Sequence, residues 1–414
     1  MARQYQTGDH SLVRTINLSV VLNCLRERAP LSRAQLAAIT GLNKTTVSSL
    51  VNQLLDNHFL REMGYGPAVS GRPGVLLELN PQAGSIIGLE IGVDFILLLL
   101  TDFQAQVLWR WEDRNGDNQQ PQQTLQRAAD IIDRAFAKSQ ELGLSVLGMG
   151  VGIPGLVDIS TGTVLFAPNL HWRDVPVREE LQRRFHVPVT VDNDANTAAL
   201  GEKYFGVARE SDVFIYLGAG VGLGGGIFIG DELYRGHKGY AGEVGHTTIV
   251  ENGELCNCGN KGCWETLVSQ TAVLRRVERA IQGGKTSSLV SAGRDSSQPI
   301  TIGDVFQAAH AGDSVAKDAL LETGRYLGIG IANLVNIFNP EMVILGGILS
   351  RGGDILLPAI QEVLRERAFY EQYDKVEVKI STYGFDACVM GGIALVLNEI
   401  LSRSSLAVHF DMTE

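Results

Sequence analysis

Apolar positions recur at helical spacing in "INLSVVLNCLRERAP", where Ile16, Val20, Leu22 and Leu25 form one stripe that stops at Pro30. In "LSRAQLAAITG", Ser32 is an N-cap, Leu36 and Ile39 give an apolar face and Gly41 ends the helix. A third helix, "LNKTTVSSLVNQLLDNHFL", starts on the Asn43 cap and buries Val47, Leu50, Val51, Leu54 and Leu55. The short glycine-bearing turn between the last two is the helix-turn-helix arrangement. "FLREMGYGPAVSGRPGVLLELN" then reads as two short strands around a Gly/Pro/Ser-rich tip, the wing of a winged helix.

The outward face of the third helix carries Lys44, Thr45, Thr46, Ser48, Ser49, Asn52 and Gln53, short hydrogen-bonding side chains almost without acid. Such a face suits a helix in the major groove, where donors and acceptors read base edges. Ser32, Arg33 and Asn43 join it as candidate DNA contacts, and Arg72 on the wing tip is placed to meet phosphate or a narrow minor groove.

Beyond residue 80 the pattern changes. "SIIGLEIGVDFILLLLTDFQAQVLWRW" gives strand-like runs from Ser85 to Trp111, and "VPVTVDNDANTAALGEKYFG" is a strand, an acidic turn and a helix starting near Asp194. "VFIYLGAGVGLGGGIFIGDELYRG" is two strands about a glycine-laden bend; "EMVILGGILSRGGDILLPAIQEVL" is strand, turn and helix; "ACVMGGIALVLNEIL" is a closing helix. Strands crossing over through helices in two halves predict two α/β lobes with a cleft between them. The expected division is 1–80 for the winged helix-turn-helix and 81–414 for the two-lobed body.

Charge adds to this division. The net charge of −11 comprises eight basic against five acidic residues in 1–80 and 27 against 41 in the rest. A mildly basic head on an acidic body fits a DNA-binding segment attached to a part that does not bind DNA, although so small an excess is also ordinary scatter. The polar Met1–His10 stretch lacks a signal-peptide core, and the longest apolar run, Phe95 to Leu100, is too short to span a bilayer, so a cytoplasmic protein without a membrane partner is expected. Five cysteines do not suggest a disulfide framework. Cys24 and Cys388 read as small core residues.

Three stretches carry candidate chemistry. "GAGVGLGGG", Gly218 to Gly226, serves equally a backbone approach to phosphate or a tightly packed hairpin. "DNDAN" sets Asp192, Asn193, Asp194 and Asn196 at the end of an apolar strand, where α/β sheets bind ligands. A carboxylate and an amide there hold sugar hydroxyls, and Asp194 is a candidate base toward a hydroxyl; capping the next helix needs only one of the four. Finally, Cys256, Cys258 and Cys263 have the spacing C-x-C-x4-C, with His246 ten residues before the first. Three thiolates and an imidazole complete a tetrahedral zinc site spanning 246–263, structural because no position stays open.

These residues resemble the ROK family of repressors and sugar kinases. In the body the resemblance rests on "GIPGLVD", "DNDANTAALGE", "GEVGH" and "CNCGNKGCWE", and it covers nearly the whole chain. The helix-turn-helix marks the repressor branch, and "LSRAQLAAITGLNKTTVSSLVNQL", "APNLHWRDV" and "GCWE" are most similar to its xylose-operon repressors. The resemblance implies a two-lobed, actin-like or hexokinase-like (ribonuclease H-like) body. It also implies sugar contacts from Asn193, Asp194, Glu243, His246 and Glu265, with the Gly155 turn nearby.

The chain departs from the family's kinases where they hold nucleotide phosphate. Their D-x-G-x-T is here "EIGVD", with Glu90 for the Asp and Asp94 for the Thr, and Val221 falls where the kinases carry a Thr. An added carboxylate repels phosphate. The expectation is therefore a sugar-responsive repressor without kinase activity, binding operator DNA as a homodimer or homotetramer and taking xylose or another monosaccharide as effector. The rival is a sugar kinase with a DNA-binding head, in which Asp194 is the base.

Overall fold

A computed structural model describes residues 10–66, 74–114, 118–230, 232–290, 299–369 and 374–401. The head is built on capped helices. Helix α1 (His10–Arg28) precedes a two-residue strand β1 (Leu31–Ser32). Ser32 and Gln35 then close a reciprocal capping box on α2 (Arg33–Thr40), and left-handed Gly41 ends it. Asn43 accepts from the Thr46 N–H to open α3 (Lys44–Asp56). Strands β2 (Leu60–Tyr65) and β3 (Val75–Leu79) complete a three-stranded sheet in the order β1-β3-β2. The wing tip, and with it Arg72, lies outside the described residues.

Two positions depart from the expected faces. Val20 and Ile39 are exposed, while Leu18, Val21, Leu22, Leu25 and Leu36 are buried. Leu55 is only partly buried.

The body is one plan used twice. In lobe I, β4 (Ser85–Ile91), β5 (Ile96–Asp102) and β6 (Val107–Asp113) form an antiparallel meander. After α4 (Pro121–Glu141), β7 (Val146–Ile153) pairs parallel with β4. A small sheet of β8 (Leu156–Asp158), β9 (Thr163–Ala167) and β10 (Trp172–Val175) intervenes, then α5 (Val177–Phe185). Strand β11 (Val189–Asn193) pairs parallel with β7 and runs straight into α6 (Asp194–Phe205).

Lobe II repeats the sheet with β12 (Phe214–Ala219), β13 (Leu223–Ile229) and β14 (Glu232–Leu233) as the meander. Helices α7 (Glu265–Val268), α8 (Gln270–Gln282), α9 (Ile302–His310) and α10 (Ser314–Phe338) follow. Then come β15 (Met342–Gly346), α11 (Gly353–Arg367) and β16 (Glu377–Ile380), both strands parallel to β12. The orders β6-β5-β4-β7-β11 and β14-β13-β12-β15-β16 are the same topology, meander first and parallel strands after. The glycine bend is thus the β12–β13 hairpin.

The last helix, α12 (Ala387–Leu401), joins head and body. It seats backbone on backbone: a Cβ at Gly88 of β4 would overlap the Val389 carbonyl, and one at Gly150 of β7 would overlap that of Gly392. Its distal residues Ile393, Val396, Leu397, Ile400 and Leu401 belong to the same buried cluster as Leu18, Leu22, Leu36, Val51 and Leu77 of the head. The 1–80 and 81–414 division therefore follows the elements but not the packing, since the head's core includes part of the body. Gly384–Leu401 is long and apolar enough to cross a membrane, yet 72% of it is buried against the protein, as in a core helix. Cys24 and Cys388 are buried as expected.

Candidate functional site

The C-terminal edges of the two sheets face a cavity of about 380 Å³. On one side it is lined by Gly155, Asn193 and Asp194 of lobe I, and by Glu243, His246 and Glu265 of lobe II. All six predicted sugar-site residues thus meet on one cavity.

Their freedom to bind differs. Gly155 has φ +112, and a Cβ there would lie 2.5 Å from the Phe166 carbonyl oxygen, so the turn requires glycine. Asn193 caps α6: its Oδ1 accepts from the N–H groups of Ala195 and Asn196, and its Nδ2 donates to the Gly155 carbonyl at 3.1 Å. The Asn193 side chain also hydrogen-bonds the Asp194 carboxylate, which lowers the Asp194 pKa. Asp194, the first residue of α6, accepts from Ala195 N–H with Oδ1 alone. Burial pushes its pKa up to about 6, against backbone hydrogen bonds that lower it.

The other two residues of "DNDAN" play no part in the cavity. Asp192 is buried and pairs with Arg235 at 2.7 Å. Asn196 is buried beneath the cavity floor, near Gly242. Arg235 lies 43 residues beyond Asp192 and has no local sequence signature, so nothing near the turn signals its role.

The cysteine loop brings His246, Cys258 and Glu265 to the cavity. Ligand atoms of His246, Cys256, Cys258 and Cys263 all lie within 4.8 Å of one another. The Cys258 and Cys263 sulfurs are 3.7 Å apart, and Cys256 Sγ lies 3.6 Å from His246 Nδ1. A tetrahedron with zinc–sulfur bonds of about 2.3 Å has edges of roughly 3.8 Å, so the donors fit such an ion. Gly262, at φ +67, lets the loop turn under the Val250 carbonyl, where any Cβ would collide.

His246 connects this cluster to the cavity. Its Nδ1 faces Cys256 while its Nε2 faces Glu243 at 3.8 Å. Burial raises the Glu243 pKa and His246 opposes that shift. Glu265 Oε1 accepts from the Cys256 thiol at 2.8 Å, and its Oε2 from the Leu223 N–H at 3.4 Å. Asn169, not singled out in the sequence, also lines the cavity and accepts from Asn257 Nδ2 at 2.8 Å.

The cavity extends to the three positions at which the family resemblance sets this chain apart from the kinases. Glu90, Asp94 and Val221 all line it. Glu90 is buried, and its Oε2 has no hydrogen-bond partner among the described residues. Burial and the neighbouring Asp194 raise its pKa well above the usual carboxylate range.

In the head, Lys44, Thr45, Ser49 and Asn52 are exposed on one face of α3, with Thr46 and Ser48 half-buried beside them. Several of the expected DNA contacts already have partners. The Ser32 and Asn43 side chains serve as caps. Arg33 donates to Asn52 at 3.2 Å and pairs with Glu62, and Arg14 donates twice to Gln53.

Comparison with known proteins agrees with this two-part organisation. The ROK family profile matches residues 86–399, and that of the IclR helix-turn-helix domain matches residues 15–63. The chain is 39% identical over 395 residues to the xylose repressor of Caldicellulosiruptor bescii, covering 95% of this chain and 98% of that one. A ROK family transcriptional regulator, a homologue of the Escherichia coli MLC protein, superposes with a TM-score of 0.82 at 29% identity, over 97% of this chain and 100% of that one. A ROK family glucokinase from Streptomyces griseus, solved with glucose and AMPPNP, superposes with a TM-score of 0.69 at 35% identity, over 75% of this chain and 99% of that one.

Proposed function

The chain belongs to the ROK family, and on that premise we propose that it is a sugar-responsive transcriptional repressor of carbohydrate-utilisation genes. One observation carries the reading: a single cavity gathers Asn193, Asp194, Glu243, His246 and Glu265, in a chain that also has a helix-turn-helix head. The similarity to a xylose repressor makes D-xylose the first sugar to test.

In this reading Asp194 and Glu243 accept from sugar hydroxyls, Asn193 contacts the sugar through its amide and His246 offers Nε2. His246, Cys256, Cys258 and Cys263 hold a structural zinc ion. Such an ion, when bound, fixes the ring of His246 through Nδ1 and leaves Nε2 for the sugar side. The protein acts in the cytoplasm as a symmetric dimer or tetramer on a palindromic operator, with Lys44, Thr45, Thr46, Ser48, Ser49 and Asn52 in the major groove. Sugar must favour a lobe arrangement in which the two heads fit the operator less well, which takes several kcal/mol of differential affinity.

The half of the cavity that kinases give to nucleotide phosphate holds Glu90, Asp94 and Val221 here, so phosphoryl transfer is not expected. The raised pKa of Asp194 favours the rival, a kinase with Asp194 as base. Two measurements separate them. Operator binding with and without saturating xylose tests the repressor, which fails if a panel of common sugars leaves operator affinity unchanged. Coupled ADP release over the same panel tests the kinase, which stands if turnover is seen and Asp194→Asn abolishes it.

A further inference from the structure

Helices α6 and α12 are seated on different lobes. Ala195, Ala199 and Leu200 of α6 share a buried cluster with Phe214, Phe228 and Ile344 of the lobe II sheet. A Cβ at Gly226 of β13 would lie 2.5 Å from that of Ala199. Helix α12 is seated on β4 and β7 of lobe I, at Gly88 and Gly150. The two helices meet along a close seam. A Cβ at Gly391 of α12 would overlap the Thr197 carbonyl of α6, and one at Gly201 of α6 would lie 2.7 Å from the Ala387 carbonyl oxygen. Packed helices on two moving bodies accommodate a change of angle by small sliding, and this seam is such a place.

The head rides on lobe I. Its core is shared with α12 and with Ile86 of β4. Phe59 packs on Phe103 with ring centroids 5.5 Å apart, and Gln104 Nε2 donates to the Leu79 carbonyl at 2.6 Å. One charged contact reaches instead to the helix packed on lobe II. The Arg26 guanidinium of α1 lies over the Tyr204 ring of α6, 4.1 Å from its centre. The Arg26 side chain is only 13% exposed, so the attraction between cation and ring is stronger than at an open surface. Tyr204 Oη donates to Asn398 Oδ1 of α12 at 2.8 Å. Asp194, a proposed sugar contact, opens the same helix, about 15 Å of helix away from Tyr204.

We infer that the Arg26–Tyr204 contact transmits the state of the sugar site to the head. The inference rests on the proposed sugar response and adds its route. Asp194 at one end of α6 meets the sugar, and Tyr204 at the other end carries any shift of α6 to α1. Coupling requires an interaction whose energy differs between two lobe arrangements. A guanidinium over a ring meets that requirement, because its attraction falls when the ring slides from beneath it. Neither side chain lines the cavity, so both act on the sugar response only through α6 and α1.

The test uses the full-length, zinc-loaded protein and an operator duplex that the protein itself selects from a random pool. The quantity read is the coupling factor, operator affinity without D-xylose divided by that with saturating D-xylose. Arg26→Met and Tyr204→Leu should each cut this factor about five-fold, while D-xylose still binds one per chain by calorimetry. Tyr204→Phe, which keeps the ring, should keep the wild-type factor. The double variant should lose no more than either single one, because both remove one interaction. Lowered melting temperatures with an unchanged factor would make the pair plain packing and overturn the inference. Loss of D-xylose binding in both variants, an equal loss of coupling in Tyr204→Phe, or additive losses in the double variant would each overturn it too. A wild-type factor of one across a panel of common sugars would instead bring down the proposed function, and this route with it.

Discussion

Asn257, the residue between Cys256 and Cys258, donates its Nδ2 to Oδ1 of Asn169 at 2.8 Å. The bond ties the cysteine loop of lobe II to the β9–β10 turn of lobe I, across the mouth of the cavity. It is a clasp between lobes, made between Cys256 and Cys258.

Asn169→Ala should therefore loosen lobe closure without disturbing the cluster. A lost hydrogen bond of about 1 kcal/mol corresponds to roughly five-fold weaker sugar binding. Titration calorimetry alongside zinc analysis checks this. Zinc content should stay at the wild-type value, and a variant that loses metal as well would show that the bond supports the loop itself.

Cys256→Ala should lose zinc, and sugar affinity should fall at least ~10-fold, because the orientation of His246 depends on what its Nδ1 contacts. Chelation of the wild-type protein should have the same effect, reversed by adding zinc. Wild-type sugar affinity in zinc-free Cys256→Ala protein would reduce the cluster to a remote staple.

Asp194 makes stability depend on pH. Its pKa is raised to about 6 in the folded chain, above the ordinary 3.8. Its contribution is thus fully present below about pH 4 and is lost as the pH rises through about 6. Asp194→Asn should stabilise the unliganded protein at pH 8 by on the order of 1–3 kcal/mol, with little change at pH 4, while abolishing sugar binding. Denaturant melts at the two pH values decide it; equal gains at both would place the effect elsewhere.

On α3, Lys44→Ala should weaken operator binding uniformly across sequences and lower the slope of log affinity against log salt by about 1. Asn52→Ala should act on specificity, and because Asn52 accepts from Arg33, Arg33→Ala should reproduce part of the effect. Unchanged operator affinity in all three variants would move the DNA contact off this face.

Leu397→Ala removes a side chain from the cluster shared by α12 and the head. The expected cost is ~2–5 kcal/mol, read as one lowered transition for head and body together. A second, separate head transition would show that the shared cluster does not couple them.

The elements were largely legible in the sequence because their signals are local. Ser32, Asn43 and Gly41 mark helix ends by side-chain chemistry and φ, and the break before Asp194 is a strand turning into a capped helix. The His246–cysteine cluster was equally legible, since its three cysteines lie within eight residues. What was not legible depends on distant partners. Val20 and Ile39 fit an apolar stripe, yet the packing of α1 and α2 turns them to solvent. Asp192 looked like a ligand until Arg235 took its carboxylate. Asn169 and Phe385 sit in stretches with no chemical signature and become cavity walls only when the two lobes meet.

The placement of α12 bears on how the protein is made. The head comes off the ribosome first, but Ile393, Val396, Leu397, Ile400 and Leu401, which finish its core, are synthesised long afterwards. A chain released early, with its head translated but α12 missing, leaves Leu18, Leu22 and Leu77 without their cover. The head's core is thus completed only after the whole body has been made.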